Sequence, residues 1–526
     1  MKLSKSLTML LGTAAMFAMY GCGSDNRESN IDQQTATFQA SAACISCHAT
    51  NKTSPVTGAL IVEEWKKSVH NTNAGAACTD CHTNSGHPNG GSIVAAVEDT
   101  QCATCHTVAS LGYPHFANYT TSLAAQYVSQ TDAAGVQCRQ CHNPHDTTSL
   151  IQYNKDWTES GHGNVGYVPG NASASSVNSH YPWTTAGRDS CAKCHTSTGY
   201  LKHVVGGTTT LTTNAGVSTI TAGPYMSNNK KNEAIMCSAC HEDYSWKRRS
   251  IGARTMEYTY DADLVPGGGS DAFAGAAPAT ANGAAPETAV VLPDVGDSNL
   301  CLVCHGGRGN FQSKRASRFE GHHAATGADL FAANSHFGFE FAGRDYTKPA
   351  AYVHDSIGVA TGAGPCVSCH MKSTKSHTFD AVTKNASGVI TAINTQAVCN
   401  TCHTGASAIN AATLEEQSLG YQNAGKLVID YLANTVPNYT GAPIVITTTA
   451  QANAAHVNTY GAFQNSLLTS EDPGGYAHNI YYVKRLIFDS IDWLDNHTFD
   501  GTITIPAGYP AAAAWFNAVA GVATRP

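Results

Sequence analysis

The chain repeats one five-residue pattern, Cys-x-x-Cys-His, nine times. The copies lie at 44–48, 78–82, 102–106, 138–142, 191–195, 237–241, 301–305, 366–370 and 399–403. Nine copies of two cysteines account for all but one of the 19 cysteines, and the one left over is Cys22. Paired cysteines alone would suggest disulfides, but that reading does not explain why a histidine follows every second cysteine. Histidine is 24 of 526 residues, so nine such coincidences have a chance probability on the order of 10⁻¹². Zinc ribbons use two CxxC pairs per metal, and an odd number of pairs would strand one. Covalent attachment of haem uses all three residues: each thiol forms a thioether to a vinyl group, and the imidazole binds the iron from one face. The pattern therefore predicts nine c-type haems (haem c, iron). Their thioethers would come from Cys44, Cys47, Cys78, Cys81, Cys102, Cys105, Cys138, Cys141, Cys191, Cys194, Cys237, Cys240, Cys301, Cys304, Cys366, Cys369, Cys399 and Cys402. Their proximal iron ligands would be His48, His82, His106, His142, His195, His241, His305, His370 and His403.

Each iron has a second axial position, and the candidates can be counted. Eight methionines exist, of which Met1, Met9, Met16 and Met19 lie in an N-terminal apolar stretch. Only Met226, Met236, Met256 and Met371 remain, too few for nine irons. Histidine suffices: 24 − 9 leaves 15. Two imidazoles per iron also imply lower potentials than Met/His ligation. Among the spare histidines, His145 follows His142 too closely to reach round the same haem and should serve a neighbour. His87 and His377 follow their motifs by a few residues. His70 ends "IVEEWKKSVH", a short amphipathic helical pattern. His478 opens "HNIYYVKRLIFDSIDWLDN", in which Ile480, Val483, Ile487, Ile491 and Leu494 fall on one helical face. His180, His203, His323, His336, His456 and His497 are read as non-ligands.

The first 21 residues read as an export signal, with Lys2 and Lys5 before the apolar run Leu7–Tyr20. That run is too short to span a bilayer comfortably. It ends at Gly21-Cys22, the arrangement of a lipoprotein signal, so Cys22 is the expected lipidation site. Removing residues 1–21 loses two lysines and no acid, moving the formal charge from −8 to −10. That balance argues against nucleic acid as a partner.

Several stretches resemble a known family, the outer-membrane multihaem c-type cytochromes (lipoprotein type) of dissimilatory metal-reducing bacteria. They include "WKKSVHNTNAGAACTDCH", "PHFANYT", "CRQCHNPHD", "CAKCHTSTGY", "CLVCHGGR", "GFEFAGRDY" followed by "YVHDSIG", "CHMKSTKSHTFDAVTKNASGVITAIN" and "HNIYYVKRLIFDSIDWLD". The resemblance implies extracellular electron transfer to metal oxides, soluble metal ions or other multihaem cytochromes, with an outer-membrane porin as a further partner. It places the protein as an outer-membrane lipoprotein at the cell surface or the periplasmic face. By similarity, the distal ligands are His70, His87, His115, His145, His162, His322, His354, His377 and His478.

The expected fold is that of a multihaem cytochrome c: little regular secondary structure, short helices and loops wrapped round a haem chain, small β elements and a helical C-terminal region. Haems are expected to replace apolar side chains as the core. The expected organisation is a signal peptide (1–21), a tether (22–43), a six-haem region (44–264), a Gly/Ala/Pro-rich linker (265–299), a three-haem region (300–410) and a C-terminal helical region that supplies a distal ligand (411–526). The Thr-rich stretch 206–223 reads as a small β element or loop. An electron carrier rather than an enzyme is the leading reading, and it leaves room for terminal metal-reductase activity. A multihaem reductase of the nitrite, hydroxylamine or sulfur-oxyanion type is the alternative, but no CxxCK motif occurs. A filament-forming cytochrome is a third reading, and a lipid at Cys22 argues against it.

Overall fold

A computed structural model describes residues 35–54, 58–84, 143–145, 151–163, 193–204, 235–241, 247–260, 288–307, 327–332, 337–437 and 455–526. It also describes shorter pieces at 87, 93–94, 105, 211–212, 219–220, 310, 439, 443–444 and 446. The chain divides into two compact units, one drawn from 1–115, 120–154 and 241–247 and the other from 116–119, 155–240 and 248–526.

In the first unit, α1 (Ala36–His48) begins at Thr35, whose hydroxyl accepts from Phe38 N. This satisfies one of the amides that a helix start leaves without an intrahelical acceptor. The amphipathic pattern noted in the sequence forms α2 (Ile61–Lys67), with Glu63 and Glu64 in its first turn and Lys66 and Lys67 in its last. That placement opposes the helix dipole at both ends. Val62 and Trp65 are buried with Ile45 in a small apolar cluster against Phe38. The second motif forms a single turn, α3 (Cys78–Cys81), and Cys78 N donates to Ser41 Oγ of α1 at 3.1 Å. Two short strands follow, β1 (Thr83–Asn84) and β2 (Ile93–Val94), paired antiparallel.

Downstream lie α4 (Ile151–Glu159), α5 (Ser197–Val204), the Thr-rich pair β3 (Leu211–Thr212) and β4 (Thr219–Ile220), and α6 (Cys237–Cys240). Of the stretch expected as a linker, 265–287 lies outside the described residues. Residues 288–299 include β6 (Thr288–Leu292), paired antiparallel with β5 (Arg254–Tyr260). Motif helices α7 (Asn299–His305) and α8 (Gly364–His370) follow, then the hairpin β7 (Val382–Lys384) and β8 (Ile390–Ile393), and α9 (Gln396–Cys399).

The C-terminal region departs from the expectation of a haem-only core. It is built on α10 (Ala411–Leu432), α11 (Val457–Glu471), α12 (Gly475–His478) and α13 (Ile480–Asn496). It closes with β9 (Thr502–Thr504), α14 (Pro510–Trp515) and β10 (Val522–Thr524), with β9 and β10 paired antiparallel. Asn410 caps α10 by accepting from Ala412 N and Thr413 N, while Thr413 Oγ1 accepts from Asn410 N. On α13 the predicted face is the buried one: Val483, Ile487, Ile491 and Leu494 are shielded, and Ile480 packs at the edge. They join Tyr421, Leu427, Tyr460, Leu468 and Phe488 in one large apolar cluster. Each such side chain contributes about 1.5–3 kcal/mol through burial. Gly461 on α11 lies under the buried ring of Phe339, where a Cβ would come within 2.1 Å of Phe339 Cδ1. Arg525, next to the last residue, forks onto buried Asp489 at 2.7 and 2.8 Å, and Tyr346 donates to the same carboxylate at 2.6 Å. The sequence pattern for helices was legible here, but the size of this core was not, because cysteine spacing says nothing about a region without cysteines.

No helix among the described residues is long and apolar enough to cross a membrane.

Candidate haem-ligand sites

The chemistry of CxxCH begins with one helical turn. On an α-helix, residues i and i+3 lie on one face, and i+4 lies beside i. In α7 and α8 this rule brings both thiols and the following imidazole to one side of a short helix. α3 and α6 supply the same turn from the first to the second cysteine. Among the described residues all 14 cysteines are free of disulfides. Thiols of different motifs meet: Cys44 hydrogen-bonds Cys78, Cys304 hydrogen-bonds Cys194, and Cys301 hydrogen-bonds Cys366.

Five motif histidines face a histidine from elsewhere in the chain. In the first unit, His48 and His87 have ring centroids 5.9 Å apart with planes at 16°. His82 and His145 are 6.1 Å apart at 7°. In the second unit, His162 and His305 are 6.1 Å apart at 73°. His354 and His403 are 6.1 Å apart at 70°, and His370 and His478 are 6.4 Å apart at 51°. Two coaxial imidazoles sharing one metal would have centroids about 6.3 Å apart, taking ~2.0 Å per metal–nitrogen bond and ~1.15 Å from that nitrogen to the ring centre. The five spacings fit one iron between each pair.

A ligating histidine normally donates its other ring N–H to an acceptor, which fixes its tautomer and orientation. The anchors are present. His370 Nδ1 bonds to Phe379 O at 2.8 Å, and His354 Nδ1 to Ala477 O at 2.8 Å. His478 Nδ1 meets Asp472 Oδ2 at 2.8 Å, with the buried Asp329 carboxylate at 3.7 Å. His48 Nδ1 meets Asn51 Oδ1 at 3.2 Å. Burial pushes the His162 pKa down to about 3 and His145 to about 4, aided in each case by neighbouring histidines. His354 and His370 are lowered for the same first reason. These rings are held neutral, the form that binds a metal. For His478 burial also acts downward, but the Asp472 carboxylate outweighs it and the value is raised. Asp329 is pushed well up, first by burial and then by Asp472.

The other predicted positions divide as follows. His70 Nδ1 bonds to Pro144 O at 3.0 Å, two residues beyond His142. His377 Nδ1 meets Ser376 Oγ at 2.9 Å, with its ring 5.9 Å from Phe379. His115 and His322 lie outside the described residues, as do Cys22, Cys102, His106, Cys138, Cys141, His142 and Cys191. Of the histidines read as non-ligands, His456 uses Nδ1 to accept from Asn458 N at the start of α11 and stacks on Trp493 at 4.6 Å. His497 ends α13 in the left-handed conformation. Buried His203 faces Arg254 at 3.3 Å, and its pKa falls to about 3 through burial, Lys193 and Arg254. His180, His323 and His336 lie outside the described residues.

One device escaped the sequence reading although its signal was present. "WKKSVH" (65–70) and "WTESGH" (157–162) share Trp-x-x-Ser-x-His. In both, the serine hydroxyl donates to the tryptophan carbonyl, at 2.8 and 2.7 Å, and accepts from the histidine amide at 3.2 Å. The indoles donate to Ala76 O and Ile235 O. The same local fold thus ends a helix and presents a histidine twice.

No protein-family model matches the chain, and no solved structure does. Two named cytochromes match it. "C-type polyheme cytochrome OmcB" of Geobacter sulfurreducens is 29% identical over 513 residues, covering 81% of this chain, and it occurs in two strains. "C-type polyheme cytochrome OmcC" of the same species is 33% identical over 388 residues, covering 66% of this chain. The chain is homologous to these polyhaem c-type cytochromes. Its matches span 66% of OmcB and 48% of OmcC, so it covers just under two thirds of the one and about half of the other. Both printed names describe polyhaem c-type cytochromes, so haem c is the cofactor that the homologues and the CxxCH motifs of this chain imply together.

Proposed function

We propose that the chain is a nine-haem c-type cytochrome that transfers electrons at the outer membrane or cell surface to extracellular metals or partner cytochromes. The five histidine pairs at iron-spanning distance are the observation that most supports it, because each joins a CxxCH histidine to one distant in sequence. In this reading, haem at 44–48 takes His87, haem at 78–82 takes His145, haem at 301–305 takes His162, haem at 366–370 takes His478, and haem at 399–403 takes His354. His70, anchored at Pro144, serves the motif at 138–142. His115, His322 and His377 serve the remaining three motifs with His106, His195 and His241.

Bound haem supplies an iron that gains and loses one electron. The chain's own residues do the rest. The cysteine pairs fix each porphyrin covalently. The Nδ1 anchors at Phe379, Ala477 and Asp472 hold imidazoles in one orientation, so little has to move when charge changes. Burial holds the rings of His145, His162, His354 and His370 toward the neutral form. Cys22 carries a lipid that tethers the chain, with other multihaem cytochromes and an outer-membrane porin as partners.

Mass spectrometry of the purified mature protein should give the polypeptide plus nine haems and an acylated N-terminus. The reduced protein should be reoxidised by ferric oxide, and protease added to intact cells should degrade it. Fewer haems, a free N-terminus, or protection from protease would each overturn the corresponding part.

A further inference from the structure

Phe379 occupies an unusual backbone conformation for an unusual set of contacts. Its φ and ψ are 61° and 16°, in the left-handed region. A bulky L-residue there is strained unless its surroundings hold it. Three contacts do so. Its carbonyl accepts from His370 Nδ1 at 2.8 Å. Its ring meets His162 edge to face, with centroids 4.6 Å apart at 78°. The same ring lies 5.9 Å from His377. His162 pairs with His305, and His370 pairs with His478. One residue therefore touches two different ligand pairs, on the backbone side and on the side-chain side.

A second set of contacts joins the same two motifs. Asp297 N donates to Gly362 O at 2.8 Å, and Ser298 N to Ala363 O at 3.1 Å. Ser298 Oγ donates to Ala363 O at 2.8 Å and accepts from Val367 N at 3.1 Å. These bonds staple the start of α7 to the start of α8. The next link is also a peptide group: His354 bonds to Ala477 O, the carbonyl immediately before His478.

We propose that Phe379 is a positioning residue shared by two neighbouring haem sites, those of motifs 301–305 and 366–370. Motif 399–403 follows next in the row, reached through the Ala477 carbonyl. The αL backbone aims the carbonyl at His370 while the ring fixes the plane of His162. The angle of each imidazole about its iron bond is thereby set by a common support. This rests on the reading of the histidine pairs as axial ligands.

The test uses the purified holoprotein, its electron paramagnetic resonance spectrum in the ferric state and a potentiometric titration. His162→Ala, His478→Ala and His354→Ala each assign one low-spin signal by converting it to high spin. Phe379→Gly relaxes the backbone, keeps the carbonyl and deletes the ring. It should shift the signals and potentials assigned by His162→Ala and His478→Ala, leave the one assigned by His354→Ala in place, and keep full haem content. Phe379→Tyr should restore the parent spectrum. Phe379→Leu, which keeps bulk but no aromatic edge, carries the test should the glycine variant fail to assemble. A spectrum identical to the parent's, or an equal shift at the His354→Ala haem, overturns the proposal. If the histidine variants themselves stay low-spin, the ligand reading fails with it; if they convert and Phe379→Gly changes nothing, only this proposal fails.

Discussion

Replacing His478 with Ala tests the ligand assignment where the surroundings can be accounted for atom by atom. The substitution removes the imidazole that faces His370 and leaves the Cys366 and Cys369 thiols untouched. It also takes from Asp472 Oδ2 its partner at 2.8 Å, while Asp472 Oδ1 keeps Gly474 N at 3.0 Å. Backbone contacts of the segment survive, since Tyr352 donates to His478 O and Asn479 donates to Asp329 O. The loss is one charge-assisted hydrogen bond, about 1.5–3 kcal/mol. A loss of about 2 kcal/mol lowers Tm by roughly 2–3 °C in a unit of this size, which the apolar core of the C-terminal region can absorb. The expected result is a folded protein with undiminished haem content in which one iron in nine turns from low to high spin. Optical and electron paramagnetic resonance spectra read this directly, and added imidazole should return the signal to low spin. An entirely low-spin spectrum without imidazole refutes the assignment of His478 and the spacing argument behind it.

Three further outcomes are expected. The pairs His48/His87 and His82/His145 have nearly parallel rings, whereas His162/His305 and His354/His403 are nearly perpendicular; parallel rings split the iron d orbitals that perpendicular rings leave nearly degenerate, so the ferric protein should show two classes of low-spin signal, and a single class would contradict these angles. Burial raises Glu340 to about 7, although Tyr482 donates a hydrogen bond to it at 3.0 Å. Because the folded state holds this proton more tightly, the stability it contributes is complete below the ordinary value of 4.5 and is lost as pH rises through about 7, by up to about 3 kcal/mol. Denaturation of Glu340→Gln should therefore vary less between about pH 5 and 8 than that of the parent, and equal slopes would sink the point. Gly461→Ala gains about 0.5–1 kcal/mol of helix propensity but forces a Cβ against Phe339, at a cost of about 1–3 kcal/mol; the variant should unfold at lower denaturant, and a rise in stability would show that Phe339 can yield.

What the sequence determined is what a short stretch of chain can specify alone. Two cysteines and a histidine on one turn carry the pattern for attachment and one axial ligand whatever the rest of the chain does, so the nine candidate motifs were legible by inspection. The helix of Ile480–Asn496 was legible for a related reason, since its apolar period is written into consecutive residues. The histidines that face those sites were legible only as a surplus to be shared out, with family resemblance as the guide. Tertiary structure decided which meets which: His145 faces His82, far back in the chain, and His478 faces His370 rather than the last motif's His403. It also decided the supports, because Phe379 O and Ala477 O are backbone carbonyls and every residue has one. The C-terminal core belongs to the same class. A thioether is a local bond formed within five residues, whereas a distal ligand, its anchor and a packed core each depend on residues far apart in the chain, and only folding brings them together.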